Sequence, residues 1–281
     1  MPELPEVEHV VRYLAPRLRG RRIGRLAWLD WPRGVRGATP EGLAAGLRDA
    51  RIEGVERRGK MVVVRLDGGR ALCVHLKMTG KLWVVRKPPD RHTRAIFELS
   101  GPRDLRFEDQ RKFGWIALVD PAGLRALTAA LGPDGLAVTA AELGRGLRGR
   151  RPVKAALLDQ RLVAGVGNIY ADEALFEARV HPARLAGRLT RAETTRLAAA
   201  VRDVLARAVD RRSGTPDQER VGAGRRGVAR RLGPLVYQRT GEPCERCRTP
   251  IARAVVAGRA THYCPRCQRP RAPGPGAPRA D

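Results

Sequence analysis

The chain has 281 residues, 43% of them hydrophobic. This length allows two domains with a sizeable core, and the absence of any run of about 18 apolar residues excludes a membrane-spanning segment. The formal net charge of +26 favours a polyanionic partner, most simply nucleic acid. The N-terminus lacks the basic start and apolar run of a signal peptide, and we therefore expect a cytoplasmic protein.

The N-terminal motif Met-Pro-Glu-Leu-Pro-Glu carries the first candidate chemistry. If Met1 is removed, Pro2 presents a secondary amine, and a terminal amine has an ordinary pKa of about 7.7–8.0. Such an amine can attack a sugar carbon and form a covalent iminium. Glu3 is placed to move protons, and Glu6 to orient the site. The alternative is that these prolines and glutamates only start a helix.

The first part of the chain reads as one helix followed by strands. Apolar residues at helical spacing predict a helix over residues 5–18. Two apolar, β-branched runs, 61–66 and 71–76, flank an Asp-Gly-Gly turn, which predicts a hairpin. Further short strands are predicted at 81–85, 94–99, 105–107 and 115–119. This pattern is typical of a sandwich or barrel.

The second part of the chain is predominantly helical. A Gly- and Arg-rich stretch, 144–151, is predicted to be a linker or basic loop. Helices are predicted over 152–160, over 169–178, and from a capping box at 190–193 to about residue 209. The stretch 211–232 is predicted to be a mobile loop, and the Pro-, Gly- and Ala-rich tail to be disordered.

Four of the five cysteines form two C-x-x-C pairs near the C-terminus, Cys244 with Cys247 and Cys264 with Cys267. This spacing predicts a tetrahedral zinc site, and four thiolates leave no open position, so the metal is structural. Redox pairs or disulfides are the alternatives. Between the pairs a β-hairpin is predicted, with Arg259 at its tip suited to contact a phosphate. The fifth cysteine, Cys73, is expected to be buried and inert.

Two further groups of residues suit DNA binding. The turn Gly-Val-Gly before Asn168 offers a close backbone approach, and Asn168 is predicted to cap the next helix, whose N-terminus can hold an anion. A simple capped helix turn is the alternative. Met78, Arg111 and Phe113 lie in predicted turns beside basic residues, and such side chains can wedge into a base stack. Their spacing is equally compatible with core positions for Met78 and Phe113.

Together these motifs resemble the formamidopyrimidine-DNA glycosylases and their endonuclease VIII relatives. The matching stretches are 2–8, 58–60, 75–80, 109–114, 166–171 and 237–267. The resemblance implies an α+β fold: an N-terminal β-sandwich flanked by helices, then a helix–two-turn–helix domain with a Cys₄ zinc-finger β-hairpin, and DNA in a basic cleft between the lobes. The expected domains are a catalytic sandwich at 1–120, a helical domain at 121–235, a zinc finger at 236–270 and a disordered tail at 271–281.

The resemblance also implies roles for individual residues. Pro2 matches the Schiff-base nucleophile, Glu3 the general acid/base, and Lys60 the proton donor in elimination. Contacts with DNA phosphates are implied for Arg259, Asn168 and Lys154, and further DNA contacts for His92 and Arg150. Met78, Arg111 and Phe113 match the residues that fill the gap left by a flipped base in the formamidopyrimidine branch.

The implied activity is excision of an oxidised purine, 8-oxoguanine or a formamidopyrimidine, followed by β,δ-elimination at the abasic site. We expect a monomer that acts on double-stranded DNA in the bacterial nucleoid, with one structural zinc and no other cofactor. The arginine-rich stretch 211–232 takes the place of the loop over the flipped base but does not match its pattern. The alternatives are an endonuclease VIII-like enzyme for oxidised pyrimidines and a non-catalytic zinc-finger DNA-binding protein.

Overall fold

A computed structural model describes residues 2–212 and 233–270. These residues form two compact units. The first unit contains residues 2–131 and 206–212, and the second contains residues 132–205 and 233–270. The predicted loop at 211–232 lies outside the described residues except for its first two positions, as does the predicted disordered tail at 271–281.

The helices of the first unit begin at prolines or directly before one. They are α1 (Leu4–Leu18), α2 (Pro40–Leu47) and α3 (Pro121–Thr128). Proline suits the first turn because its fixed φ is helical and its missing N–H has no partner there in any case. The residues before α2 and α3, Thr39 and Asp120, accept a backbone N–H at 3.1 and 2.7 Å. The sequence therefore sets where these helices start, and α1 confirms the predicted helix at 5–18 to within one residue.

Nine strands of this unit form a continuous hydrogen-bonded order, β2-β9-β5-β4-β3-β1-β7-β8-β6. Their bounds are β1 (Arg22–Leu29), β2 (Val35–Arg36), β3 (Ala50–Arg58), β4 (Met61–Leu66), β5 (Ala71–His75), β6 (Gly80–Val85), β7 (Thr93–Leu99), β8 (Asp104–Asp109) and β9 (Trp115–Val119). The predicted strands from residue 61 onward are all present. The predicted hairpin turn is a short 3₁₀ segment in which Gly68 and Gly69 have positive φ.

The strand order consists of two halves that fold over one core. Strands β1 and β3 join the halves through only two residue pairs, Arg22 with Arg51 and Ile23 with Ala50. Apolar side chains from both halves and from α1 then meet in a single buried cluster, which includes Leu14, Val64, Leu72, Phe97 and Phe107. Two layers around a shared core make this unit the β-sandwich that the sequence predicted.

The strands β1 and β3 and the helix α2 were not predicted individually from the sequence. Strand β3 reads ARIEGVERR, with several charged side chains and a glycine, and only Ala50 and Ile52 are buried. Its length comes from its antiparallel pairing with the apolar strand β4. Pairing with the next strand along the chain thus creates a strand that its own apolar pattern does not reveal.

The second unit contains helices and one hairpin. Its elements are α4 (Ala140–Gly146), α5 (Val153–Leu158), α6 (Asn168–Glu177), the first part of α7 (Arg191–Asp210), β10 (Ala252–Val256) and β11 (Arg259–Tyr263). Two predictions need correction here. The predicted linker at 144–151 is partly helical, because a capping box between Thr139 and Glu142 starts α4 just before it. Asn168 is the first residue of α6, and its N-cap is Gly167.

The zinc-finger hairpin is held to the helices of its own unit by a buried lysine. The Lys154 ammonium on α5 donates to Ala260 O and Thr261 Oγ1, both at 2.8 Å, and forms an ion pair of 2.7 Å with Asp172 on α6. Asp172 in turn accepts the His262 backbone N–H at 2.8 Å. The Lys154 side chain is 0% exposed. Three elements of the unit therefore depend on one buried charge pair.

We predict that Lys154→Met lowers the free energy of unfolding of this unit by about 3 kcal/mol, because it leaves the Asp172 carboxylate buried without its cation. Chemical denaturation followed by circular dichroism measures the change. Arg145→Ala removes an exposed cation from α4 of the same unit and should change the stability by less than about 0.5 kcal/mol. Equal stability of the Lys154→Met variant and the parent would show that the pair contributes no net stabilisation.

Candidate functional site

Pro2 directly precedes a helix start that contains two buried carboxylates. Pro2 is half-buried, whereas Glu3 and Glu6 are 1% and 4% exposed. Glu3 is the N-cap of α1, and the Glu6 carboxylate accepts the Glu3 backbone N–H at 2.8 Å as one half of a capping box. The other Glu6 oxygen accepts from the guanidinium of Arg212, which follows α7. The helix start thus fixes the backbone on which Pro2 is carried.

The turn that carries Lys60 is tied to the same end of α1. Arg57 on β3 donates to the Glu8 carboxylate at 2.8 Å and to the Gly59 carbonyl at 3.2 Å. Gly59 has a φ of +57°, which a tight turn between β3 and β4 requires. Because Glu8 lies on the second turn of α1, this ion pair holds the turn with Lys60 against the helix that Pro2 precedes.

A neutral histidine lies among the cations next to Lys60. Burial, together with the smaller effect of the Lys77, Lys60 and Arg36 charges, lowers the pKa of His75 to about 3. Its Nδ1 accepts the Lys77 backbone N–H at 3.1 Å, which also requires the unprotonated ring. A neutral imidazole adds no positive charge among these cations, so they can remain close together. Such a cluster suits an anionic ligand.

The three wedge candidates are exposed in the structure. Met78 and Phe113 are 40% and 51% exposed, so neither is a core residue. The Arg111 guanidinium stacks 4.5 Å from the centre of the Phe113 ring. His92, another predicted DNA contact, lies beside this region, since its carbonyl accepts the Asp109 backbone N–H at 2.9 Å. The exposed apolar side chains and the adjacent cations therefore form one surface of the first unit.

The four cysteines of the two C-x-x-C pairs converge in the second unit. The sulfur atoms of Cys244, Cys247, Cys264 and Cys267 all lie within 4.8 Å of one another. The donor set of four thiolates fits one structural zinc ion and leaves no open position for catalysis. Among the described residues no other group of three or more potential metal ligands occurs. The fifth cysteine, Cys73, is buried in the β-sandwich, and burial raises the pKa of its thiol to about 11, as expected for an inert cysteine.

The hairpin above this zinc site presents Arg259 to solvent. Strands β10 and β11 meet at Ala257 and Gly258, which both have positive φ, as a two-residue turn requires. Arg259 follows this turn and is exposed. The next carbonyl, that of Ala260, accepts both the Lys154 ammonium and the Asn168 side-chain N–H. The helices therefore fix the backbone that carries Arg259.

The remaining predicted DNA contacts differ in accessibility. Asn168 is half-buried, and Arg150 is exposed between α4 and α5. Lys154 is fully buried with Asp172, so in this structure it organises the hairpin, and its direct contact with a phosphate stays a prediction.

Several supporting residues were not found from the sequence. Glu173 on α6 accepts three successive backbone N–H groups, from Leu235, Val236 and Tyr237, at 2.7–2.9 Å, although burial raises the pKa of its carboxyl. Asp172, His75 and Arg212 were also missed. No local spacing marks Glu173, Asp172 or Arg212, because their partners are distant in sequence. His75 bonds to the nearby Lys77 N–H, but its burial among cations is decided by the fold.

These features define a class: an α+β protein with a β-sandwich, a helical unit and a Cys₄ zinc finger, whose exposed functional side chains are basic or apolar. Family models match residues 1–116 as a formamidopyrimidine-DNA glycosylase N-terminal domain, 131–219 as the helix–two-turn–helix domain of the same enzymes, and 241–270 as a zinc finger found in FPG and IleRS. The chain belongs to the formamidopyrimidine-DNA glycosylase family.

Individual relatives extend over nearly the whole chain. The formamidopyrimidine-DNA glycosylase of Chloroflexus aurantiacus is 46% identical over 95% of this chain and 98% of its own. The crystal structure of the MutM (Fpg) protein from Thermus thermophilus is 42% identical, with a TM-score of 0.80 over 95% of this chain and 98% of that one. A MutM structure in complex with DNA containing carbocyclic 8-oxo-G is 33% identical, with a TM-score of 0.84 over 96% of this chain and 100% of that one.

We predict that Cys264→Ala removes zinc from the protein, because a tetrahedral structural site needs all four thiolates. The zinc content of the purified protein, measured by metal analysis, should fall from about one ion per chain to near zero. Cys73→Ala removes a buried thiol outside the cluster and should leave the zinc content at one per chain. Retention of zinc in the Cys264→Ala variant would show that the metal is held elsewhere.

We predict that His75 makes the protein less stable in acid. Its pKa is about 3 in the folded state and about 6.5 when unfolded, so below pH 6.5 the unfolded chain binds a proton that the folded chain does not. Between pH 7 and pH 5 this removes about 2 kcal/mol of stability. The His75→Gln side chain stays neutral at every pH in this range. The free energy of unfolding of this variant, measured by urea denaturation, should therefore fall by about 2 kcal/mol less than that of the parent between pH 7 and pH 5. Identical pH dependence in the parent and the variant would contradict the low pKa.

Proposed function

We propose that this chain excises oxidised purines from DNA through a covalent intermediate on Pro2 and then cleaves the abasic strand. The observation that carries the proposal is the placement of Pro2 directly before a helix start built from two buried carboxylates, in a chain whose residues 1–116, 131–219 and 241–270 match the family models. Neither a structural zinc nor DNA binding alone requires this arrangement.

The chemistry begins with the Pro2 amine, which requires removal of Met1. The amine attacks the anomeric carbon of the damaged nucleotide, the base leaves, and the sugar ring opens to an iminium. Glu3, 1% exposed and next to the nucleophile, exchanges protons with the sugar during these steps. Lys60, on the turn tied to α1 through Arg57, donates a proton during β,δ-elimination of the two flanking phosphates. Glu6 orients the site through the Glu3 backbone.

The DNA contacts are distributed over both units. We assign phosphate contacts to Arg259 and Asn168 in the second unit. We assign further DNA contacts to Arg150 in the second unit and to His92 in the first. Met78, Arg111 and Phe113 fill the gap left by the flipped nucleotide, which their exposure permits. Double-stranded DNA with an oxidised purine, 8-oxoguanine or a formamidopyrimidine, is therefore the substrate.

The same proposal covers organisation and location. The catalytic sandwich spans residues 1–120, the helical domain 121–235 and the zinc finger 236–270. One structural zinc is required, and the protein acts as a monomer, since a lesion in one strand offers no two-fold symmetry. Its DNA substrate places it at the bacterial nucleoid. None of the described helices is long and apolar enough to cross a membrane.

We predict that borohydride traps the protein on an 8-oxoguanine duplex, because reduction of the iminium makes the adduct permanent. Peptide mapping of the trapped complex should place the adduct on Pro2. Trapping on a thymine glycol duplex instead of 8-oxoguanine would move the substrate to oxidised pyrimidines. Tight DNA binding without trapping on either duplex would contradict the covalent mechanism and leave a DNA-binding protein.

We predict that Glu3→Gln lowers the single-turnover rate of base excision by about 100-fold or more, because the amide cannot exchange protons with the sugar. Gel electrophoresis of a labelled duplex measures the rate. Glu41→Gln, the same exchange at an exposed position in the first turn of α2, should leave the rate unchanged. A Glu3→Gln rate within a factor of about two of the parent would remove Glu3 from the mechanism.

A further inference from the structure

One buried carboxylate joins the two turns that carry the wedge side chains. Asp109 is the last residue of β8 and is paired in the sheet with Gly80, the first residue of β6. The turn with Met78 leads into β6, and the turn with Arg111 and Phe113 follows β8. The two turns therefore lie at the same end of the β6–β8 pair. The Asp109 side chain is 1% exposed and lies between the two turns.

Both Asp109 oxygens are used to hold these turns. Oδ1 accepts the Thr79 hydroxyl and the Arg111 backbone N–H, the latter at 3.2 Å. Oδ2 accepts the backbone N–H groups of Phe113 and Gly114 at 2.8 and 2.7 Å. The Thr79 oxygen also accepts the Arg111 N–H at 3.1 Å, which closes a ring of hydrogen bonds across the two turns.

The backbone around Asp109 is fitted to this role at two glycines. A Cβ at Gly80 would lie 2.4 Å from the Leu76 carbonyl oxygen, and one at Gly114 would lie 2.6 Å from the Phe107 ring and 3.2 Å from Asp109 Oδ2. A larger residue at Gly80 would displace the Leu76 backbone of the Met78 turn, and one at Gly114 would displace the Phe107 ring or the Asp109 carboxylate. Lys112, between the two wedge residues, has a φ of +54° and points to Asp30, 3.4 Å away. Arg111 and Phe113 are thereby left to stack on the exposed side.

We propose that Asp109 is the positioning residue of the wedge: its carboxylate sets the Met78 turn and the Arg111–Phe113 turn in one arrangement before DNA is bound. This inference rests on the wedge role given to Met78, Arg111 and Phe113 under the proposed function. The wedge offsets the unstacking of a base step, which costs a few kcal/mol, so loose turns would lose part of that effect. Asp109 touches neither the sugar nor the departing base in this role.

The test compares two substrates in single-turnover assays. Excision of 8-oxoguanine from a duplex needs the wedge, whereas cleavage of an abasic site in a single strand leaves no gap to fill. Asp109→Asn has the same shape but only one oxygen, so the hydrogen bonds to either Oδ1 or Oδ2 lose their acceptor. We expect duplex excision to fall about tenfold and single-strand abasic cleavage to stay within about twofold of the parent.

Two variants serve as references. Asp120→Asn makes the same change at the exposed cap of α3 and should leave both activities unchanged. Phe113→Ala removes a wedge side chain and should lower duplex excision alone. In the Phe113→Ala background, Asp109→Asn should lower the rate of duplex excision by a smaller factor than in the parent, because both changes weaken the same wedge. Thermal unfolding fixes an assay temperature at which every variant is folded.

The outcomes separate the inference from the function on which it rests. If Phe113→Ala lowers duplex excision but Asp109→Asn does not, the wedge stands and the positioning role of Asp109 is overturned. Two other results also overturn it. One is an equal loss of rate in Asp109→Asn on both substrates. The other is a double variant whose fold-loss in duplex excision equals the product of the two single fold-losses. If Phe113→Ala has no effect on the duplex, the wedge assignment fails and the inference fails with it, while borohydride trapping of the parent protein still tests the Pro2 mechanism by itself.

Discussion

The capping of α1 by its own carboxylates is the constraint on which the proposed catalytic arrangement depends. A helix start leaves backbone N–H groups without partners, and here Glu6 satisfies one of them while Arg212 binds its other oxygen. This fixes Glu3 and the residue before it. A nucleophile at the end of a chain would otherwise be among the least ordered atoms of a protein. Burial of the cap converts a terminus into a fixed site.

The same physical device recurs at other functional segments of this strongly basic chain. Asp109 binds the backbone of the wedge turns, Asp172 that of the zinc-finger hairpin, and Glu173 that of residues 235–237. Each carboxylate is buried and would be costly if its partners were missing. Because most of these donors are backbone N–H groups, the three carboxylates hold their segments in place without binding arginine side chains.

Two kinds of constraint hold the zinc-finger hairpin in place, each at a different part of it. The four sulfur atoms fix the base of the hairpin, and the pair of Lys154 and Asp172 fixes its side against α5 and α6. Arg259, near the tip, is left exposed on a backbone that is held from both directions. A long side chain on a fixed backbone can contact a phosphate at a smaller entropic cost than one on a loose loop.

The sequence alone determined the local features. Proline positions set helix starts, apolar β-branched runs identified strands from residue 61 onward, and cysteine spacing indicated the zinc site, because each of these signals acts within a few residues. The resemblance supplied the roles of Pro2, Glu3 and Lys60, which remain proposals at the level of individual residues. Tertiary structure alone decided that β3 is a strand, that Met78 and Phe113 are exposed, and that Lys154 is buried. These outcomes depend on partners outside each segment, namely the neighbouring strand β4 for β3, and Asp172, Ala260 and Thr261 for Lys154. The apolar pattern within each segment does not contain them.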